Sequence, residues 1–234
     1  LIEGDGAFKL SVDTEISEYP LIEFYAGSDV DYTYKRGRLQ EVKFYAYYTH
    51  NKETYRLEEI YGKGFITNTD SEVRNKAIDY LREMSDIALE MECKIVNLWM
   101  AQDGYDYFLT TDYNQNREWL KEGIATIAAA YPTLRFALEY KPKEPRNFSY
   151  HARMADTILA VKETGCANVG ITIDTGHSFV GGENVAEAVV LAKRAGNLLF
   201  HMHFNDNHGF WDDDMIVSSV HLTCYIDLLF WLKK

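Results

Sequence analysis

Cysteine is scarce in this 234-residue chain: Cys93, Cys166 and Cys224 stand far apart, and no CxxC pair occurs. That excludes a disulfide framework, gives no support to a thiolate zinc site, and fits free thiols in a reducing cytoplasm. Basic residues are also in deficit, with 24 Lys plus Arg against 36 Asp plus Glu, for a formal net charge of -12. A protein that gathers nucleic acid by its phosphates needs clustered cations, so no nucleic-acid partner is expected. No apolar run approaches the ~20 residues that span a bilayer. The longest, Tyr225 to Leu232, is interrupted by Asp227, so no membrane partner is expected either. The opening LIEGDGAFKL lacks the basic and apolar regions of a leader, and a cytoplasmic protein is expected. Proline is rare, and neither a Pro-rich linker nor a repeat divides the chain, which favours a single domain over residues 1–234. The sequence starts on Leu1 rather than Met and stops at Lys234 directly after an apolar helical pattern, so both ends are expected to be cut. What is abundant is apolar: 47% hydrophobic and 14% aromatic residues suffice for a substantial core.

From Thr69 onward, helical and strand patterns alternate. Thr69 with Glu72 reads as a capping box ahead of a helix whose apolar stripe runs Val73, Ala77, Leu81, Met84, Ala88 and Met91. A β-rich run, residues 94–99, follows. Then come a helix over about 116–130, a strand over 134–139, a helix over about 150–164 closed by Gly165, and a strand over 169–174. Asn184 with Glu187 caps the next helix, which Gly196 stops; 198–204 is another strand, and 215–232 a last apolar helix. Strands alternating with helices imply an α/β fold with a parallel sheet. Before residue 62 the pattern is less regular, with candidate strands at 8–12, 21–25 and 42–48.

The chemistry gathers where the strands end. Trp99, Glu139 and Asp174 close three of them, and the fourth carries His201 and His203. Parallel α/β sheets bind ligands at the carboxyl ends of their strands. Carboxylates and an imidazole on one face suit a divalent Mn, Mg, Co or Zn ion. Lys141 lies two residues past Glu139, on the same side, where its ammonium can stabilise charge on a substrate oxygen. His177 follows Asp174 by three. Of His201 and His203, only one is expected to face inward. Asp212 and Asp214 can grip a second cation, although acids ahead of a helix also serve its dipole. Trp99 and Tyr105 offer apolar walls for a sugar ring, with core packing an equal reading.

The segments FALEYKPKEPR, ITIDTGH, HMHFNDN and WDDD, in that order, resemble the xylose isomerase-like TIM-barrel superfamily of sugar isomerases and epimerases over roughly Thr69 to Lys234. The resemblance implies a (β/α)8-type barrel with an irregular N-terminal part and without its last strand, the length accommodating about seven of eight strands. It implies metal ligation by Glu139, Asp174, His203, Asp212 and Asp214, with one or two ions per chain. It also implies substrate contact and catalysis by Lys141 and His177, beside Trp99. The implied activity is metal-assisted interconversion of an aldose and a ketose by hydride shift. Relatives use an early histidine for ring opening; His50 is the only early one here, and its surroundings do not match. Three alternatives stand beside that reading. They are epimerisation by proton transfer between paired glutamates, the apurinic-site endonuclease chemistry that the acidic surface argues against, and a metal- or sugar-binding remnant without turnover. The apolar last helix fits a homodimer or homotetramer, and equally a covering C-terminal segment.

Overall fold

The computed structural model describes residues 8–11, 27–35, 38–43, 47–50, 53–56 and 63–234, with side chains from Lys63 onward. Chain packing divides the molecule into two units, 1–62 and 63–234. In the first, β1 (Phe8–Ser11), β2 (Gly27–Lys35) and β3 (Arg38–Lys43) pair antiparallel in that order, and β4 (Tyr47–His50) pairs antiparallel with β5 (Glu53–Arg56). The expected strand at 8–12 is β1. The one at 21–25 lies outside the described residues, and 42–48 overlaps the ends of β3 and β4. His50 is the last residue of β4.

The second unit runs α1 (Ser71–Glu90), β6 (Ile95–Trp99), β7 (Gly104–Tyr105), α2 (Tyr113–Ala130), β8 (Arg135–Glu139), β9 (Phe148–Ser149), α3 (Met154–Thr164), β10 (Val169–Asp174), α4 (Thr175–Val180), α5 (Val185–Arg194), β11 (Leu199–His203) and α6 (Leu222–Lys233). Its main sheet is parallel, in the order β11-β10-β8-β6. Among the described residues this sheet has four strands, not about seven, because the strands of the first unit pair antiparallel instead of extending it.

Helices cover one face, and the central strands are buried nearly throughout. β10 is buried along its whole length, and β8 from Phe136 to Glu139. Phe136, Leu138, Ile171 and Ile173 of the sheet are buried, as are Leu120, Ile124, Ile127, Met154 and Val189 of the helices, and together they belong to the core. Burying each such side chain is worth about 1.5–3 kcal/mol.

Caps decide where the helices start. Asp70, not Thr69, caps α1, its carboxylate accepting the Glu72 N–H at 2.8 Å. Asp112 accepts from the Gln115 N–H at 3.0 Å and starts α2 three residues ahead of the expected Asn116. Asn184 caps α5 as expected, and Gly165 takes the left-handed conformation, φ 66°, that closes α3. The last helix does not begin at Met215. Met215 is tied by two backbone hydrogen bonds to Asp206, whose carboxylate takes the N–H groups of Val220 and His221. These bonds hold the segment ahead of α6 in a loop despite its apolar pattern. Along α6, Leu222, Ile226, Leu229, Phe230 and Trp231 remain exposed. Among the described residues, no helix is long and apolar enough to cross a membrane.

Candidate metal centre

Glu139, Asp174 and His203 end three neighbouring strands, β8, β10 and β11. The Nδ1 of His203 stands 3.2 Å from Glu139 Oε1 and 3.6 Å from Asp174 Oδ2, with both carboxylates buried. A second cluster shares Asp174 and adds His177 and Asp212; within each trio the candidate ligand atoms lie within 4.8 Å of one another. The structure therefore brings together four of the five expected ligands and His177. Asp214 is exposed and sits outside both trios, its Oδ1 accepting from the Asn205 amide at 2.9 Å.

The local sequence explains how these groups are held. Asp174 ends β10 and caps α4 in one step, its Oδ1 accepting the His177 N–H at 3.0 Å. That cap turns the chain within three residues and aims His177 back over the strand ends. His177 Nδ1 then donates to the Tyr140 carbonyl at 2.9 Å, which leaves Nε2 facing Asp212 Oδ2 at 3.0 Å. Lys141, nearly fully buried, reaches the same Asp212 oxygen at 2.8 Å and Glu144 at 3.1 Å. The Trp99 indole lies beside it, with Lys141 Nζ 5.1 Å from the ring centroid. Tyr105 does not join this wall. It stacks on Phe148 at 5.0 Å, in a cluster with Tyr113 and Tyr150.

His201 and His203 do not face opposite ways. Residues two apart in a strand share a face, and the two rings meet edge to face at 4.9 Å. His203 lies nearer the carboxylates, while His201 is exposed.

Several supports escaped sequence reasoning because single polar residues in apolar strands carry no pattern. Asn97, inside β6, donates to Glu139 Oε2, and the Thr172 hydroxyl of β10 holds Asn97 in turn at 2.6 Å. Asn205 Nδ2 bridges Asp174 Oδ2, at 3.1 Å, and Asp214. Gly176 makes room for Asn205: a Cβ there would collide with the Asn205 amide oxygen. Asp206 is wholly buried, and Asp103, also buried, accepts three backbone N–H groups from Phe65, Ile66 and Thr67. The polar character of HFNDN was the one available signal for Asn205 and Asp206.

Electrostatics follow the geometry. The hydrogen bond from His177 holds Asp212 down to about 2, against burial and with help from Lys141. Burial works against the His177 imidazolium, yet the Asp212 hydrogen bond and the charges of Asp174, Asp212 and Glu139 together raise its pKa. Lys141 likewise stays charged, because Asp212 and Glu144 outweigh its burial. Two oxygens around this network are left over: among the described residues, neither Asp212 Oδ1 nor Asn205 Oδ1, both buried, has a hydrogen-bond partner. A buried acceptor with no donor, beside two other candidate ligands, fits the donor set of a divalent cation.

Residues 45–224 match the family model described as the xylose isomerase-like TIM barrel. The chain belongs to that family. Its open sheet is thus part of a barrel, and the strand-end cluster lies on the face where such barrels bind ligands. Among curated relatives it is 29% identical over 175 residues to the xylose isomerase of Thermus thermophilus, covering 71% of this chain and 45% of the relative. The chain thus spans about half the length of that protein. Among solved structures, a D-tagatose 3-epimerase-like protein aligns with a TM-score of 0.61 at 25% identity, covering 74% of this chain and 63% of that one. A D-psicose 3-epimerase determined in the presence of D-fructose aligns with a TM-score of 0.59 at 17% identity, covering 73% and 56%; at that identity the likeness concerns the fold.

Proposed function

We propose that this chain carries the catalytic face of a divalent-metal-dependent sugar isomerase that interconverts an aldose and a ketose. The observation behind this reading is the pair of trios sharing Asp174, with a charged lysine beside them. Glu139, Asp174 and His203 would hold one Mn, Mg, Co or Zn ion; Asp174, His177 and Asp212, with Asp214 nearby, would hold a second. When bound, such ions supply Lewis acidity at the carbonyl and hydroxyl oxygens of an open-chain sugar.

The protein groups have their own work. The buried Lys141 ammonium stabilises negative charge developing on a substrate oxygen as hydride passes between adjacent carbons. Asp212 holds that ammonium in place and keeps it protonated. The Tyr140 carbonyl fixes the His177 tautomer, so that Nε2 is the nitrogen presented to the site. The half-exposed Trp99 gives the sugar an apolar wall. The exposed apolar residues of α6 suit assembly into a homodimer or homotetramer, which sedimentation would reveal.

Removing the Glu139 carboxylate tests the first metal position. Glu139→Gln should weaken Mn binding by more than about tenfold. Unchanged metal content by elemental analysis would exclude Glu139 as a ligand.

The epimerase relatives among the solved structures favour a second reading, proton abstraction and return at one carbon. Two labelled sugars separate the readings. An aldose deuterated at C2 would carry its label to C1 of the ketose in a hydride shift, whereas a ketose deuterated at C3 would lose its label to water on 3-epimerisation by proton transfer.

A further inference from the structure

The expected sugar wall at Tyr105 turns out to belong to a different cleft. Tyr105, Tyr113, Phe148 and Tyr150 line a cavity of about 370 Å³, together with Arg117 of α2 and Asp156 of α3. It shares no residue with the metal trios, and Pro142, directly after Lys141, forms part of its wall. The volume lies within the roughly 300–1,000 Å³ of small-molecule sites, and the lining has the usual composition of such sites: aromatic walls with a few polar groups.

The rings are fixed before any ligand arrives. Tyr105 lies stacked on Phe148, and Phe108 packs against Phe148 at 5.3 Å. The Tyr150 hydroxyl is committed to Thr111 and Asn116, which locks that ring. The two charges are not committed. Arg117 and Asp156 are each half-buried, and neither side chain makes a hydrogen bond or ion pair to another described residue. Half-buried charges without partners cost stability, and these two have opposite signs within one aromatic cleft.

We propose that this cleft is a second carbohydrate site, taking a neutral pyranose ring on its aromatic wall and its hydroxyls on Arg117 and Asp156. A sugar ring matches both halves of the lining. Its C–H face covers aromatic carbon, and its hydroxyls donate to a carboxylate and accept from a guanidinium. The paired signs disfavour an anion or a cation. A flat apolar ring would satisfy the walls and leave both charges stranded.

Methyl glycosides isolate this site from the metal centre, because their locked rings have no free carbonyl and need no cation. The probes are methyl β-D-glucopyranoside, methyl β-D-galactopyranoside and methyl α-D-mannopyranoside, titrated calorimetrically into the intact chain in EDTA. At least one should bind saturably. Asp156→Asn and Arg117→Met should each weaken it by about tenfold or more, the loss expected for a hydrogen bond to a charged group. Glu139→Gln should leave it unchanged, so a failed metal assignment would not disturb this result. Far-ultraviolet circular dichroism checks that both variants fold. Absence of saturable binding by all three glycosides overturns the proposal, as does indole binding where no glycoside does. Loss of binding in Glu139→Gln with retention in Arg117→Met would assign the sugar to the metal mouth and also refute it.

Discussion

Replacing Asp206 with alanine should cost more than any substitution at the metal trios, although Asp206 touches none of those ligands. Its carboxylate is wholly buried and serves four donors. They are the N–H groups of Val220 at 2.8 Å, His221 at 2.9 Å and Asn207 at 2.9 Å, with His221 Nδ1 at 2.6 Å. Hydrogen bonds to a charged group are worth about 1.5–3 kcal/mol each, so a plain sum would reach about 6–12 kcal/mol. The sum overstates the loss, because Val220 and His221 lie partly exposed and water can reach them in the variant. Loss of a buried carboxylate that serves several donors at once gives an expected destabilisation of about 3–5 kcal/mol. Urea unfolding followed by circular dichroism measures it. The same donors close the loop between residues 206 and 221 that carries Asp212 and Asp214, so affinity for a second Mn ion should fall about tenfold or more. His221 also stacks on Phe179 at 4.1 Å, next to His177 and its neighbours on α4. A loss below about 1 kcal/mol with two Mn ions still bound would refute the role given to Asp206.

Two further outcomes can be tested on the same footing. His151 is fully buried, neither ring nitrogen has a hydrogen-bond partner among the described residues, and burial pushes its pKa down to about 4 from 6.5. The unfolded chain therefore takes up a proton that the folded chain refuses, so stability is complete above pH 6.5 and declines between pH 6.5 and 4, by about 3 kcal/mol in all. His151→Phe should flatten that decline in a pH series of urea midpoints, and an unaltered slope would remove His151 as its cause. Gly170→Val should weaken Mn binding without touching a ligand, since a Cβ there would lie 2.5 Å from the Phe200 ring and push it off the sheet. Wild-type metal affinity in that variant would show that the position of Phe200 does not set the site.

Much of the second unit was legible because its signals are local and repeated. Apolar runs gave β8 and β10, Gly165 and Asn184 gave helix ends, and ExK, DTGH, HxH and WDDD gave six residues that do converge: Glu139, Lys141, Asp174, His177, His203 and Asp212. The failures share a cause, which is tertiary bonding that overrides a local pattern. The 215–232 run reads as one helix until Asp206 takes the N–H groups of Val220 and His221. The helix start is the exception, and its cause is local: Thr69 has the capping-box spacing to Glu72, but Asp70, at least as good a cap residue, holds the Glu72 N–H. Asn97, Thr172 and Asn205 are ordinary polar residues until the sheet places them behind Glu139 and Asp174.

The orientation of His203 shows how one irregular residue can decide a site. β10 and β11 run in step from Ile171 opposite Leu199, and then the register slips, so that Thr172 faces His201 and Asp174 faces His203. Phe200 is the extra residue. Without it Thr172 would face Phe200, Asp174 would face Met202, and both imidazoles would point toward the helices. The bulge reverses the side of every later residue in β11, which is the consequence of any one-residue slip in a sheet of period two. Phe200 is accommodated because Gly170 leaves room beneath its ring and Arg135 stacks above it, 5.1 Å from the centroid. Three residues far from the strand ends thus determine that an imidazole, rather than a thioether, meets Glu139 and Asp174. Adjacent strands ~4.8 Å apart then supply the spacing, and side chains leaning together from β8, β10 and β11 bring it down to the 3.2–3.6 Å seen at His203 Nδ1.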